Sequence, residues 1–345
     1  MNLSEILNNP NWLPQSLDPV SIVFEEISPD TLTKSAFLDG RAVGKTGRTV
    51  SVPIDHLLKA LPKLQKRPHE LHEIFHISHV GSTFIARILG EFGDVRIFRE
   101  PPILKGLSFL SREYNDGVAP FNRDNLLQLQ DLVFTLLIRS HEKNIIKHSS
   151  QNLIIPKNTL ISNINIKPTL YLYTSLADFL AHSLSSKGLS SDATNGAAHR
   201  IKHFNSIASM DRLSLHELSA LQRAALVWMS GMIKINLRYR KDKGDLLLNF
   251  DKNFSNEKRV DIIMILADHF EFVLTDQDVH KISSSGIWEK SSKHSAKQSY
   301  SHRRKNIQEN RIKYKDDVRK TIEWVSALTD RNLHLHPLDS FLGEL

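Results

Sequence analysis

The segment from Glu73 to Leu104 limits the possible folds more tightly than any other part of the chain. A short apolar run, Ile74 to Ile77, breaks at a turn formed by Ser78, His79, Val80 and Gly81. Ser82 and Thr83 then open a stretch in which Phe84, Ile85, Ile88, Leu89 and Phe92 recur with helical spacing. A second apolar run, Val95 to Phe98, ends against Arg99-Glu100-Pro101-Pro102. Strand, glycine turn, helix and strand make the βαβ unit of a parallel sheet. A turn that enters a helix through Gly81-Ser82-Thr83 offers unpaired backbone N–H groups and two hydroxyls at the positive end of the helix, which suits phosphate.

The alternation continues downstream. A helix is expected over Asn125 to His141, where Leu126, Leu129, Leu132, Val133, Leu136 and Leu137 form an apolar face. Asn144 to Lys147 reads as a strand running into His148-Ser149-Ser150, and Thr169 to Tyr173 as another, followed by a helix from Leu176 to Ser186. Leu215 to Arg240 is expected as a long helix, Asp245 to Phe250 as a strand, Lys258 to Phe270 as a helix, and Asn306 to Leu328 as the last helix. Residues 190–212, rich in Ser, Asn and His, are expected as a loop or lid. The pattern predicts an α/β three-layer sandwich with a mostly parallel sheet and right-handed crossovers. Ligands bind such sheets at the carboxyl ends of the strands. Four polar clusters fall there: Ser78 to Thr83, Arg99-Glu100, Lys147 to Ser149, and Thr174-Ser175.

The first 70 residues differ, with prolines at 10, 14, 19, 29, 53, 62 and 68 among short apolar pieces such as Ile22 to Phe24. They are expected as a small N-terminal appendage, 1–70, beside a main domain, 71–345. Gly40 to Thr46 imitates a Walker A loop, but three residues separate its glycines where four are needed, and an alternating strand pattern, Gly47 to Pro53, follows in place of a helix. A basic hairpin turn accounts for it.

Composition adds exclusions. Among 345 residues there is no cysteine, so disulfides, thiolate metal sites and a cysteine nucleophile are ruled out. The formal charge of +7 suits an anionic ligand or a basic surface. No aromatic-studded basic stripe is present, which counts against nucleic acid. The start lacks a basic then apolar leader, and the most apolar run, Ala224 to Ile233, is too short to span a bilayer, so a cytoplasmic protein without membrane insertion is expected.

His72-Glu73-Ile74-Phe75-His76 matches H-E-x-x-H, the zinc-hydrolase pattern, which works on a helix. The sequence after it requires a strand, on which residues four apart lie roughly 13 Å from one another. No metal is therefore expected. His334 and His336 read as surface residues.

Ser78 to Ile85 resembles the sulfate-donor loop of the sulfotransferase superfamily, P-[KR]-S-G-T-[ST]-x-[LM] after the first strand. That family is P-loop related, with a fold like the P-loop nucleoside triphosphate hydrolases, and uses 3′-phosphoadenosine 5′-phosphosulfate. Gly81, Ser82 and Thr83 fall on its Gly-Thr-Thr, and His79 on its basic residue. Phe98 to Pro101 resembles the segment in which tyrosylprotein-type members carry a catalytic glutamate, here Glu100. Ile145 to Ser149 is similar to the I-K-T-H segment of cytosolic members, with Lys147 matched and His148 one position early. Leu172 to Ser183, with Asp178 and Ser183, is similar to the 3′-phosphate segment R-x-P-x-D-x-x-x-S, with Tyr173 in place of the arginine and the serine offset. Lys293 to Lys297 takes the place of the late basic loop.

The resemblance implies transfer of a sulfuryl group from 3′-phosphoadenosine 5′-phosphosulfate to a hydroxyl or amine. His79, Gly81, Ser82, Thr83, Ser183 and Lys293 would hold the donor. Lys147 would stabilise the leaving nucleotide, with Glu100 as the general base and His148 as the second candidate. The acceptor region would lie within Leu107 to Arg123 and Ser190 to Arg212. A binding module without chemistry, for an anionic nucleotide or phosphate compound, is the alternative, and a zinc hydrolase using His72, Glu73 and His76 the third.

Overall fold

The computed structural model describes residues 2–35, 37–38, 48–64, 69–139, 141, 143–156, 164–207, 212–254, 256–289 and 300–341. The turn expected at Gly40 to Thr46, and Lys293 with the rest of 290–299, lie outside them. The chain divides into two units, residues 1–75 with 83–170, and residues 76–82 with 171–345.

The first unit opens with an antiparallel sheet of β1 (Trp12–Leu17), β2 (Ser21–Glu26) and β3 (Thr49–Pro53). Pro14 lies in β1, where its missing N–H would cost a ladder bond, and the register shifts between Pro14 and Ser16. Four parallel strands follow: β4 (His69–His76), β5 (Arg96–Arg99), β6 (Lys143–Lys147) and β7 (Ile164–Ile166). β6 lies between β5 and β4, and β7 pairs with the start of β4. Helices Ser82–Leu89, Ile103–Asn115 and Arg123–Ile138 connect them. The hydrophobic spacing of the last appears as buried Leu126, Leu132, Val133, Leu136 and Leu137. Ile22, Phe24 and Leu57 from the first 70 residues share one core cluster with Phe98, Leu104, Leu132 and Ile146.

The second unit contains the exit of β4 and the turn after it, with β8 (Leu170–Tyr173) reaching it from residue 171 and β9 (Leu246–Asn249) beside β8. The Ile77 N–H donates to the Leu172 carbonyl at 3.2 Å. The helix Ala220–Arg238 packs closely over Ile77 at Gly231, where a Cβ would come within 2.6 Å of the Ile77 side chain. Trp228, fully buried on that helix, donates its indole N–H to the Thr174 carbonyl at 2.8 Å.

The α/β class with parallel strands and intervening helices is as expected, and the strand, positive-φ turn and helix at 69–89 have a P-loop-like layout. Two expectations fail. Residues 190–207 of the expected loop are helical, in Lys187–Asn195 and Ala197–Ile207, burying Leu189, Ala193, Ala197, Ile201 and Phe204, and 208–211 lie outside the described residues. The final helix is two, Tyr300–Lys313 and Lys315–Arg331, because Tyr314 leaves helical backbone at φ −116°, ψ 30°. Among the described residues no helix is long and apolar enough to cross a membrane.

Candidate functional site

In the first unit, the register of β5, β6 and β4 sets Arg99, Lys147 and Ile74 in one row at the carboxyl ends of the strands. Two expected site residues meet there. The Lys147 ammonium, on a side chain 1% exposed, forms an ion pair with the Glu100 carboxylate. The Glu100 N–H also donates to the Lys147 carbonyl at 2.7 Å. Glu100 sits at φ 57°, a left-handed conformation that a residue with a Cβ adopts at a cost of about 1 kcal/mol or more. Strained backbone of this kind persists where surrounding contacts fix it, and it concentrates at functional sites.

His148 is placed differently. Successive strand residues point to opposite faces, so His148 emerges on the face opposite Lys147, with Glu73 and Phe75. It is fully buried, stacked on the Phe75 ring at 3.9 Å with 6° between planes. Its Nε2 lies 2.8 Å from Glu73 Oε1 and its Nδ1 3.4 Å from the Asn152 side-chain amide. A carboxylate accepts and an amide N–H donates, which assigns the ring proton to Nε2. Ser149 Oγ donates to Asn152 Oδ1 at 3.0 Å and completes the network.

In the second unit, the turn after β4 holds His79 at φ 62° and Gly81 at φ 72°. A Cβ on Gly81 would collide with the Phe250 ring, so both backbone and space demand glycine. Phe250 follows β9 directly, and Asp251 beside it accepts from Thr174 Oγ1 at 2.7 Å. Arg303, from the helix Tyr300–Lys313, grips both oxygens of Asp251, at 3.1 and 3.0 Å, and lies 5.9 Å over the Phe250 ring. The His79 ring lies against Gly188, 3.3 Å from the position of a Cβ, with the His182 ring 6.1 Å away. Ser78 Oγ donates to Asp192 Oδ2 at 3.4 Å, and Asp192 also pairs with Arg200 at 2.8 Å.

Ser82 and Thr83 begin the helix that follows and are buried. Positive-φ residues running into a helix start suit an anion. The other described residues expected to hold a ligand are engaged within the protein. Ser183 Oγ donates to the Leu180 carbonyl of its own helix at 2.6 Å. Burial raises the Tyr173 phenol above its ordinary pKa, against a lowering hydrogen bond with Asn249. Burial and then Asp251 raise the Asp178 carboxyl, and Arg311 pairs with it at 3.3 Å.

His72, Glu73 and His76 all lie on β4, so the two histidines are not a helical turn apart. Among the described residues no three or more His, Asp or Glu side chains are grouped to hold a metal ion.

Three participants escaped the sequence reading. Glu73, named in the sequence only as part of the zinc pattern, is the partner of His148, while Arg303 is not singled out by the sequence and Phe37 carries no motif. Its ring lies 5.4 Å from Lys147 Nζ.

No protein-family model matches the chain, and no curated protein does. Among solved structures, mouse sulfotransferase SULT7A1 complexed with PAP aligns at a TM-score of 0.42 and 11% identity, over 85% of this chain and 97% of that one. A retinol dehydratase in complex with retinol and PAP gives 0.37 and 12%, over 92% and 98%. The sulfotransferase domain from the curacin biosynthetic pathway gives 0.33 and 12%, over 72% and 99%. Likeness at these scores carries no weight of its own, and the functional reading rests on the chain's residues.

Proposed function

We propose that the chain is a sulfotransferase-like enzyme that moves a sulfuryl group from 3′-phosphoadenosine 5′-phosphosulfate to a hydroxyl or amine. The observation that carries this reading is the Glu100–Lys147 pair at the strand ends, held with Glu100 in left-handed backbone. Sulfuryl transfer, like phosphoryl transfer, asks a protein for positioning and charge stabilisation more than covalent work. At rest, Lys147 and Glu100 neutralise each other. A bound donor draws the ammonium toward the oxygen that bridges sulfur and phosphorus, which frees the carboxylate. Glu100 then takes the proton of the acceptor as its oxygen or nitrogen bonds to sulfur. The bond from sulfur to the bridging oxygen breaks, and Lys147 stabilises the negative charge left on the nucleotide. Gly81 to Thr83 keep the donor-holding role that the resemblance gives them. His148, held by Glu73 and Asn152, is assigned to fixing the end of β6 rather than to proton transfer.

The test is turnover of the donor with a panel of phenolic, alcoholic and amine acceptors. Wild-type protein transfers sulfate, and Glu100→Gln does not although it still binds the nucleotide. Unchanged transfer in Glu100→Gln would remove Glu100 as the base. His79 and Tyr173, standing where the resembled family carries basic residues, favour a second reading, a nucleotide-binding module without chemistry. Nucleotide binding without transfer to any acceptor class would select it.

A further inference from the structure

Three guanidinium groups of the first unit hold the N-terminal residues by their backbone. Arg139 donates to the carbonyls of Ile6 at 3.3 Å, Leu7 at 3.0 Å and Trp12. Burial pushes its pKa down to about 9, which leaves it charged at neutral pH. Arg96, at the start of β5, donates to the Pro10 carbonyl at 2.7 Å. Arg99, at the end of β5, donates to the carbonyls of Leu32 at 3.3 Å and Ser35 at 2.9 Å. The Leu38 N–H returns a bond to the Arg99 carbonyl at 3.0 Å.

These contacts bracket Phe37, which is 8% exposed and presents its ring to the Lys147 ammonium. A lysine side chain has a flexible four-carbon stem and three donors, so one carboxylate does not by itself fix its direction. An aromatic face attracts the cation and excludes water from it. We propose that Phe37 is a positioning residue, which with the Arg99 clamp keeps the Lys147 ammonium directed at Glu100. Leu32, Ser35, Phe37 and Leu38 then form a wall of the strand-end site. This deepens the reading above and rests on it for the use made of the Glu100–Lys147 pair, but the pair's geometry is testable without any nucleotide.

The experiment is acylation of lysines in the full chain at fixed pH, quantified by mass spectrometry, for wild type, Phe37→Leu and Phe37→Tyr. Lys167, in the same unit, 16% exposed and paired with Glu70 at 3.2 Å, is the internal reference. In Phe37→Leu, Lys147 is expected to label about fivefold faster than in wild type, the factor implied by loss of a cation–π contact. Lys167 keeps its rate, and Phe37→Tyr, which retains an aromatic face, restores the wild-type rate at Lys147. Phe37→Met serves in its place if Phe37→Leu does not fold. An unchanged Lys147 rate in the Leu or Met variant overturns the proposal. So does equal acceleration by Tyr and Leu, or parallel acceleration of Lys167, since either reports packing alone. If the nucleotide does not bind while Phe37→Leu still releases Lys147, the donor assignment fails and the positioning role stands.

Discussion

Glu100 and Lys147 are joined twice, by the N–H of Glu100 on the Lys147 carbonyl at 2.7 Å and by the carboxylate on the ammonium. The backbone bond fixes where Glu100 begins, and the ion pair fixes where its side chain ends. Lys147 is 1% exposed and Glu100 17%, so the pair is shielded without being sealed. A carboxylate in that position can receive a proton from a ligand.

Breaking the pair is expected to be costly from the lysine's side. Glu100→Gln leaves the buried ammonium without its counter-charge, a loss of roughly 3 kcal/mol in stability. Lys147→Met removes the charge together with its desolvation cost and is expected to lose less. Urea unfolding of the two variants measures the difference. If the proposed chemistry holds, Glu100→Gln also lowers transfer by about 10²-fold or more.

Gly81→Ala meets both a left-handed φ of 72° and the Phe250 ring. The expected outcome is a loss of about 1–3 kcal/mol with impaired anion binding. Adding Phe250→Ala relieves the collision at Gly81 but not the backbone strain. Nucleotide binding by Gly81→Ala equal to wild type would count against the loop as the anion site.

Ser183→Ala is expected to leave nucleotide affinity unchanged, because the Ser183 hydroxyl is spent on the Leu180 carbonyl. A tenfold or greater loss, about 1.4 kcal/mol, would show that the hydroxyl turns toward the ligand.

His269 predicts an acid-sensitive second unit. Burial holds its imidazole below its ordinary pKa, against the raising influence of Asp245, Asp268 and Glu271. Its ring meets Phe270 edge-on at 5.0 Å, and its Nε2 is buried without a hydrogen-bond partner among the described residues. Below about pH 6.5 the unfolded chain takes up a proton that the folded one resists, so stability falls as pH drops. Urea midpoints across that range are expected to decline for wild type and to flatten for His269→Gln. An equal slope in both would assign the acid sensitivity elsewhere.

Periodicity in the sequence was enough to place β4, β5, β6, β8 and β9 and the turn between β4 and its helix, but not the three-residue β7. It failed where apolar residues were sparse. Leu189, Ala193, Ala197 and Ile201 recur every four residues, but small alanines among Ser and Asn hide the stripe. The split at Tyr314 carries no Gly or Pro to mark it. At the site, Glu100 and Lys147 could be read as strand ends, whereas their pairing depends on the register that aligns Arg99 with Lys147. His148 reads as a site histidine by proximity in sequence. The two-residue period of a strand turns it to the opposite face, toward Glu73 and Phe75. Phe37 could not be found at all, because what brings it to Lys147 is a set of backbone carbonyls held by Arg99.

Calorimetry with 3′-phosphoadenosine 5′-phosphate on the full chain tests the central claim most directly. Binding with a Kd below about 1 mM, lost in Gly81→Ala and kept in Glu100→Gln, is the predicted result. Absence of binding by this nucleotide and by ATP at millimolar concentration would contradict it.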